Sequence, residues 1–143
     1  MLKFRRTVLI LNALFLGLTG FAQMIFELLS HYRGVGPLGR IFTDIPYTLG
    51  FFEAHGFAVL TALLVFWIML KEMKPHWHLY LALVSFLLGG SNLLFWDSFA
   101  KVGLVAAGYI ATALHILFFL LQSYSFKVSR NGKVPDERLP GSF

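Results

Sequence analysis

Apolar residues fall along the chain in four long stretches, over about residues 7–30, 50–70, 79–96 and 102–121, separated by short segments that carry most of the charge, glycine and proline. A helix needs about 20 mostly apolar residues to cross roughly 30 Å of hydrocarbon at about 1.5 Å per residue, and each stretch approaches or exceeds that length. Runs such as residues 59–70 lack the apolar/polar alternation that a membrane barrel strand requires. The pattern predicts an all-α integral membrane protein, a four-helix bundle over residues 1–122, followed by a polar tail over residues 123–143.

The connections differ in kind. Residues 31–49 contain Gly34, Gly36, Pro37, Gly39 and Pro46 and read as an irregular loop, long enough to carry function. Residues 71–78 are short and punctuated by Pro75, which makes the second and third spans an antiparallel hairpin, with Trp77 and Tyr80 suited to an interfacial belt and His76-Trp77-His78 read as part of an interfacial loop. Residues 97–101 read as a tight turn. The tail, with Asn131-Gly132, Pro135 and Pro140, reads as disordered or loosely attached.

Charge placement orients the spans. Lys3, Arg5, Arg6, Lys71, Lys74, Lys127, Arg130, Lys133 and Arg138 fall on one side of a four-span layout, and only Arg33, Arg40 and Lys101 on the other. The positive-inside rule then puts both termini in the cytoplasm, as in a multi-pass protein of the cell membrane. The high isoelectric point, about 9.8, becomes a matter of topology and attraction to anionic lipid headgroups rather than a sign of nucleic acid. Composition agrees: 57% of the 143 residues are hydrophobic and 13% charged, too apolar for a soluble domain of this size. With no cysteine, thiolate nucleophiles, Cys-ligated zinc and iron-sulfur clusters are excluded. The basic start, the run to Leu18 and Gly20-Phe21-Ala22 also fit a signal peptide cut after Ala22; the apolar residues Met24, Ile25, Phe26, Leu28 and Leu29 favour an uncleaved span.

Contact faces in lipid are marked by small and polar residues. The first span puts Asn12, Ala13, Gly17, Gly20, Gln23, Glu27, Ser30 and His31 within an arc of roughly 140°. The second carries Gly50, Ala54, Ala58, Thr61 and Val65, flanked by Glu53 and His55. Ala82, Ser85, Gly89, Asn92 and Trp96 align on the third. On the fourth, Lys101, Gly108, Ala111, Thr112, His115, Phe119 and Gln122 align, leaving Ile110, Leu114 and Leu121 for lipid. By depth, Gln23, Glu27, Glu53, His55, Asn92, Trp96 and Lys101 make an outer layer of candidate ligand-binding residues. Asn12, Ser85 and His115 make a second, inner polar layer.

Ionisable groups inside spans are costly unless paired or hydrated, so Glu27 and Glu53 are the first functional candidates. Glu27 could instead reach interfacial water or pair with Lys101. Glu27, His31, Glu53 and His55 are the only candidates for a metal, although Glu53 and His55, two residues apart, lie on different helical faces. His115 stands alone within its span, with no histidine at matching depth for a bis-histidine haem; a hydrogen bond to Asn12, Ser85 or Thr112 suits it better. No cofactor is implied. Trp96, Phe95 and Phe119 could line a hydrophobic pocket.

The order of parts resembles the DoxX-like group of small membrane proteins. Lys3 to Arg6 form the basic start, Leu16-Gly17-Leu18-Thr19-Gly20 the glycine-containing first span, residues 34–50 the irregular loop, and Phe52-Glu53-Ala54-His55-Gly56 the acidic opening of the second span. The resemblance covers roughly residues 8–122 and implies a subunit of a membrane redox or sulfur-metabolism complex, with no catalytic residue carried over. The leading expectation is a non-catalytic subunit or small-hydrophobe binding module with a polar pocket at its outer end. The alternative is a membrane enzyme acting on a lipid or quinone, with Glu27 or Glu53 as acid/base and His55 as proton partner. Besides the bilayer, the expected partners are a lipid, quinone or other small hydrophobic ligand, and a membrane protein or a second copy of the chain. Proton or cation movement is a weaker third, because apolar turns separate the two polar layers.

Overall fold

Apolar runs without internal proline satisfy their backbone polar groups within a helix, the form that hydrocarbon demands. In the computed structural model, which describes residues 1–43 and 48–131, every regular element is helical. Helix α1 is Leu2–Arg33, and α2 is Thr48–Leu64, continued by a π-helical turn at Val65–Met69. Helix α3 is Pro75–Leu94, α4 the short Trp96–Lys101, and α5 Val105–Asn131. Four helices are long and apolar enough to cross a membrane: Leu2–Arg33, Thr48–Met69, Pro75–Leu94 and Val105–Asn131.

The ends follow local chemistry. Helix α1 stops at Gly34, whose φ of 61° only glycine adopts at no cost; its N–H returns to Ser30 O and that of Val35 to Leu29 O. Pro75 opens α3 rather than standing in a loop, because its fixed φ and missing N–H suit the first helical position. His76, Trp77 and His78 therefore lie in the first turn of α3. Residues 123–131, polar enough to read as tail, continue α5, with Ser125 and Ser129 turned to the interior. Pro46 and the tail from Gly132 lie outside the described residues.

Packing rests on close backbone approach, since lipid offers little hydrophobic drive for helices to pair. A Cβ built on Gly17 would stand 3.1 Å from Ala62 Cβ, and one on Gly20 would stand 2.8 Å from His55 O and 3.2 Å from Ala58 Cβ. These glycines let α1 lie against α2. On the other pair, a Cβ built on Gly89 of α3 would stand 3.1 Å from His115 Cβ of α5. Leu9, Ala13, Leu16, Ala62, Val65, Met69 and Leu81 form one buried cluster that joins α1, α2 and α3. Phe15 carries α1 across to α5, with its ring centroid 5.5 Å from that of Phe118 and 5.1 Å from that of His115. Large apolar side chains such as Leu18, Phe57, Trp67, Leu87 and Leu94 point outward, a surface for lipid rather than water.

Candidate functional site

At one end of the molecule α1 and α2 bring an acid and an imidazole together. Glu27 is 1% exposed, and its Oε1 lies 2.6 Å from His55 Nδ1. Gly20, two turns earlier on α1, admits the carbonyl of His55 and so brings this part of α2 close. With Glu27 ionised, Nδ1–H donates to Oε1, and a neutral His55 keeps Nε2 as an acceptor. The His55 side chain is 30% exposed, which gives the pair a way out of the interior. Glu27 Oε2 is sealed and has no hydrogen-bond partner among the described residues.

The segment after α1 folds over this end. Ser30 Oγ donates to Gly39 O at 2.5 Å and accepts from Phe42 N–H at 3.2 Å, while Thr43 Oγ1 donates to Ser30 O. Leu38 and Phe42 are buried as a result. One serine thus fastens the loop, and Thr48 Oγ1, donating to Phe42 O at 3.0 Å, ties it to the start of α2.

The other expected members of this layer are dispersed. Glu53 is exposed on α2, Gln23 and Asn92 are half-buried, and His31 is exposed with Nδ1 3.4 Å from Phe42 O. Trp96, on α4, stacks obliquely on Phe99 and Tyr109. Lys101 is exposed and donates to Asp97 Oδ2 at 2.5 Å, so it is not the partner of Glu27. That hydrogen bond and the lysine's charge hold the Asp97 carboxyl below its usual value. No group of three or more His, Asp or Glu side chains placed to hold a metal ion occurs among the described residues.

The opposite end holds a longer network across α1, α3 and α5. Arg5 Nε donates to His78 Nε2 at 3.2 Å, His78 Nδ1 lies 2.7 Å from Gln122 Oε1, and Gln122 Nε2 donates to Asn12 Oδ1 at 2.9 Å. Arg5 Nη2 also donates to Met73 O at 2.5 Å, fixing the α2–α3 connection. The directions are consistent only with a neutral His78 carrying its proton on Nδ1. His78, Gln122 and Asn12 are fully buried and Arg5 is 6% exposed. Asn12 Nδ2, Ser85 Oγ, Ser125 Oγ and His115 Nδ1 are buried without a partner among the described residues.

Asn12, Ser85 and His115 stand out in the sequence as an inner polar layer; Arg5 and His78 do not. Arg5 resembles any basic residue flanking a span, although it lies seven positions before Asn12 and so shares its face. His78 is obscured by the placing of the helix start. Compared with family models, curated proteins and solved structures, the chain matches none.

Proposed function

We propose that the chain is a four-helix bundle of the cell membrane with both termini in the cytoplasm, acting as a non-catalytic binding module for a small hydrophobic molecule. The orientation is supported by Lys3, Arg5, Arg6, Lys71, Lys74, Lys127 and Arg130, basic residues at the end where Arg5 meets Met73, His78 and Gln122. The order of parts that resembles the DoxX-like proteins fits a subunit of a membrane complex. The carrying observation is Glu27, a buried carboxylate with one oxygen on His55 and the other without a partner among the described residues. A lipid-soluble molecule with a hydroxyl or N–H group, displacing the part-exposed His55 ring to reach the sealed Oε2, would complete it by donating there, and an unfilled buried acceptor of this kind is costly.

A second reading has one observation in its favour. A carboxylate and an imidazole 2.6 Å apart are an acid/base couple, so the module could transform a lipid or quinone instead of only holding it. Glu53, exposed on another face of α2, takes no part in this version.

Native mass spectrometry from mild detergent separates the readings. The wild-type protein should retain a small hydrophobic molecule that Glu27→Gln loses. Equal retention by both proteins, or none by the wild type, would overturn the binding site. A retained molecule that wild-type protein alters chemically and E27Q does not would replace the binding reading with the catalytic one.

A further inference from the structure

Arg5 presents a charge without a counter-charge among the described residues. Its guanidinium is held by two neutral acceptors, His78 Nε2 and Met73 O, while the residue is only 6% exposed. Of the acids among the described residues, Glu27 faces His55 at the opposite end, Glu72 pairs with Lys74 at 2.7 Å, Asp97 pairs with Lys101, and Glu53 is exposed on α2. None forms an ion pair with Arg5. Buried cations in folded proteins are ordinarily paired, because an isolated charge is far costlier to bury than a neutral polar group.

The network adds a second constraint. Each hydrogen bond runs from Arg5 toward Asn12, through His78 and Gln122, and the last ends on Asn12 Oδ1, whose companion Nδ2 is a sealed donor without an acceptor among the described residues. His78 spends its Nε2 lone pair on Arg5 and its Nδ1 proton on Gln122, so it can neither supply a negative charge nor move away without breaking both contacts. The remaining N–H groups of the guanidinium, without a partner among the described residues, are left for an acceptor from outside the network.

We infer that Arg5 is the recognition group of a phosphate-oxyanion site, and that an anionic phospholipid headgroup in the adjoining leaflet occupies it. The guanidinium fork matches two phosphate oxygens. Arg5 precedes the apolar run of α1 by three positions, at the level where that run gives way to headgroups. Lys3 and Arg6 are exposed beside it, and Lys71 and Lys74 flank the connection whose Met73 carbonyl it holds. Lys3, Arg6 and Lys71 raise the local anion concentration, Lys74 being offset by Glu72, while Arg5 supplies the fixed contact.

The experiment compares retention of phosphatidylglycerol and phosphatidylcholine of matched acyl chains, by native mass spectrometry and by thermal unfolding in mild detergent. Wild-type protein should prefer phosphatidylglycerol, and Arg5→Gln should reduce that preference about tenfold, as expected for losing charge-assisted hydrogen bonds. Arg6→Gln removes the same charge from an exposed position and should change the preference less than about twofold. Equal losses in R5Q and R6Q would overturn the site in favour of diffuse attraction. Arg5→Lys keeps the charge without the fork, so it serves if R5Q does not fold; its preference should fall between wild type and R6Q on one side and complete loss on the other, and a full wild-type preference in R5K would overturn the role of the fork. Inorganic phosphate is the remaining arm: stabilisation by phosphate alone, lost in R5K, would keep the oxyanion site but assign it to free phosphate. Asp136 and Glu137 are tested as internal counter-ions. If D136N/E137Q destabilises lipid-free protein while R5Q leaves lipid preference intact, the inference fails.

Discussion

His55 Nδ1 stands 2.6 Å from Glu27 Oε1, so the buried acid of α1 is held by an imidazole of the neighbouring helix while Lys101, the lysine that sequence offers as its partner, pairs with Asp97 on the surface. Removing the imidazole should therefore matter more than removing the nearby acid. His55→Ala leaves Glu27 without a partner and should lower stability by about 2 kcal/mol. Glu53→Ala, at an exposed position, should change it by less than about 0.5 kcal/mol. Unfolding in mild detergent measures both, and the double variant E27Q/H55A should recover part of the loss.

Gln122 links α5 to α1 and α3 by accepting from His78 and donating to Asn12. Gln122→Leu would orphan a buried donor and a buried acceptor together and should cost about 2–3 kcal/mol. Asn12→Ala should cost less, and the two effects should fall short of additivity by at least about 0.5 kcal/mol. A double-mutant cycle reads this directly; strict additivity would mean that the network is not a unit.

Two glycines separate close approach from open space. Gly20→Val places atoms where His55 O and Ala58 Cβ already stand and should destabilise by about 1–3 kcal/mol. It should also loosen Glu27 from His55, visible as faster hydrogen exchange at this end. Gly90 has nothing within 4 Å of a built Cβ, and Gly90→Ala should be neutral or stabilising by up to about 1 kcal/mol.

Acidification should be felt by the pair on α4. Asp97 is held below its usual value of 3.8 by Lys101. A carboxyl depressed in the folded state contributes stability above its unfolded value, and the contribution is lost as pH falls through the folded one. Both side chains are largely exposed, so the effect should be small and suppressed by salt. Asp97→Asn should alter unfolding at neutral pH in low salt, and no longer differ from wild type in strong acid or high salt.

Helices and their contact faces were legible in the sequence because hydrocarbon permits few arrangements of backbone and punishes lone polar groups. Asn12, Gly20, Glu27, Ser30, Ser85 and Gln122 all lie on the faces that spacing assigns to the interior, and all are buried. Leu114 and Leu121, assigned to lipid, are half-buried, and His31, Gly50, Ala54 and Lys101, assigned to the interior, are exposed. Spacing put Glu27 and His55 in one layer and left open whether Glu27 or Glu53 would meet the imidazole, since that depends on how far α1 slides along α2, which Gly20 and the Ser30-fastened loop decide. Arg5 eluded spacing for a different reason. A basic residue before a span serves topology in most proteins, and only contact with His78 and Met73 distinguishes it.

The π-helical turn at Val65–Met69 has a consequence for how the chain can change length. Leu70 N–H reaches back to Val65 O at 3.0 Å, a ladder step holding one residue more than an α-helix uses. Val65 and Met69 nevertheless both stay buried, and the excess is absorbed before the chain turns at Lys71 toward the Met73 carbonyl that Arg5 grips. A single-residue deletion inside 65–69 should convert the turn to ordinary helix and leave α1 and α3 undisturbed. The same deletion near Ala58 would rotate His55 away from Glu27. The second span thus contains one expansion joint, set where its gain or loss does not reach the acid–imidazole pair.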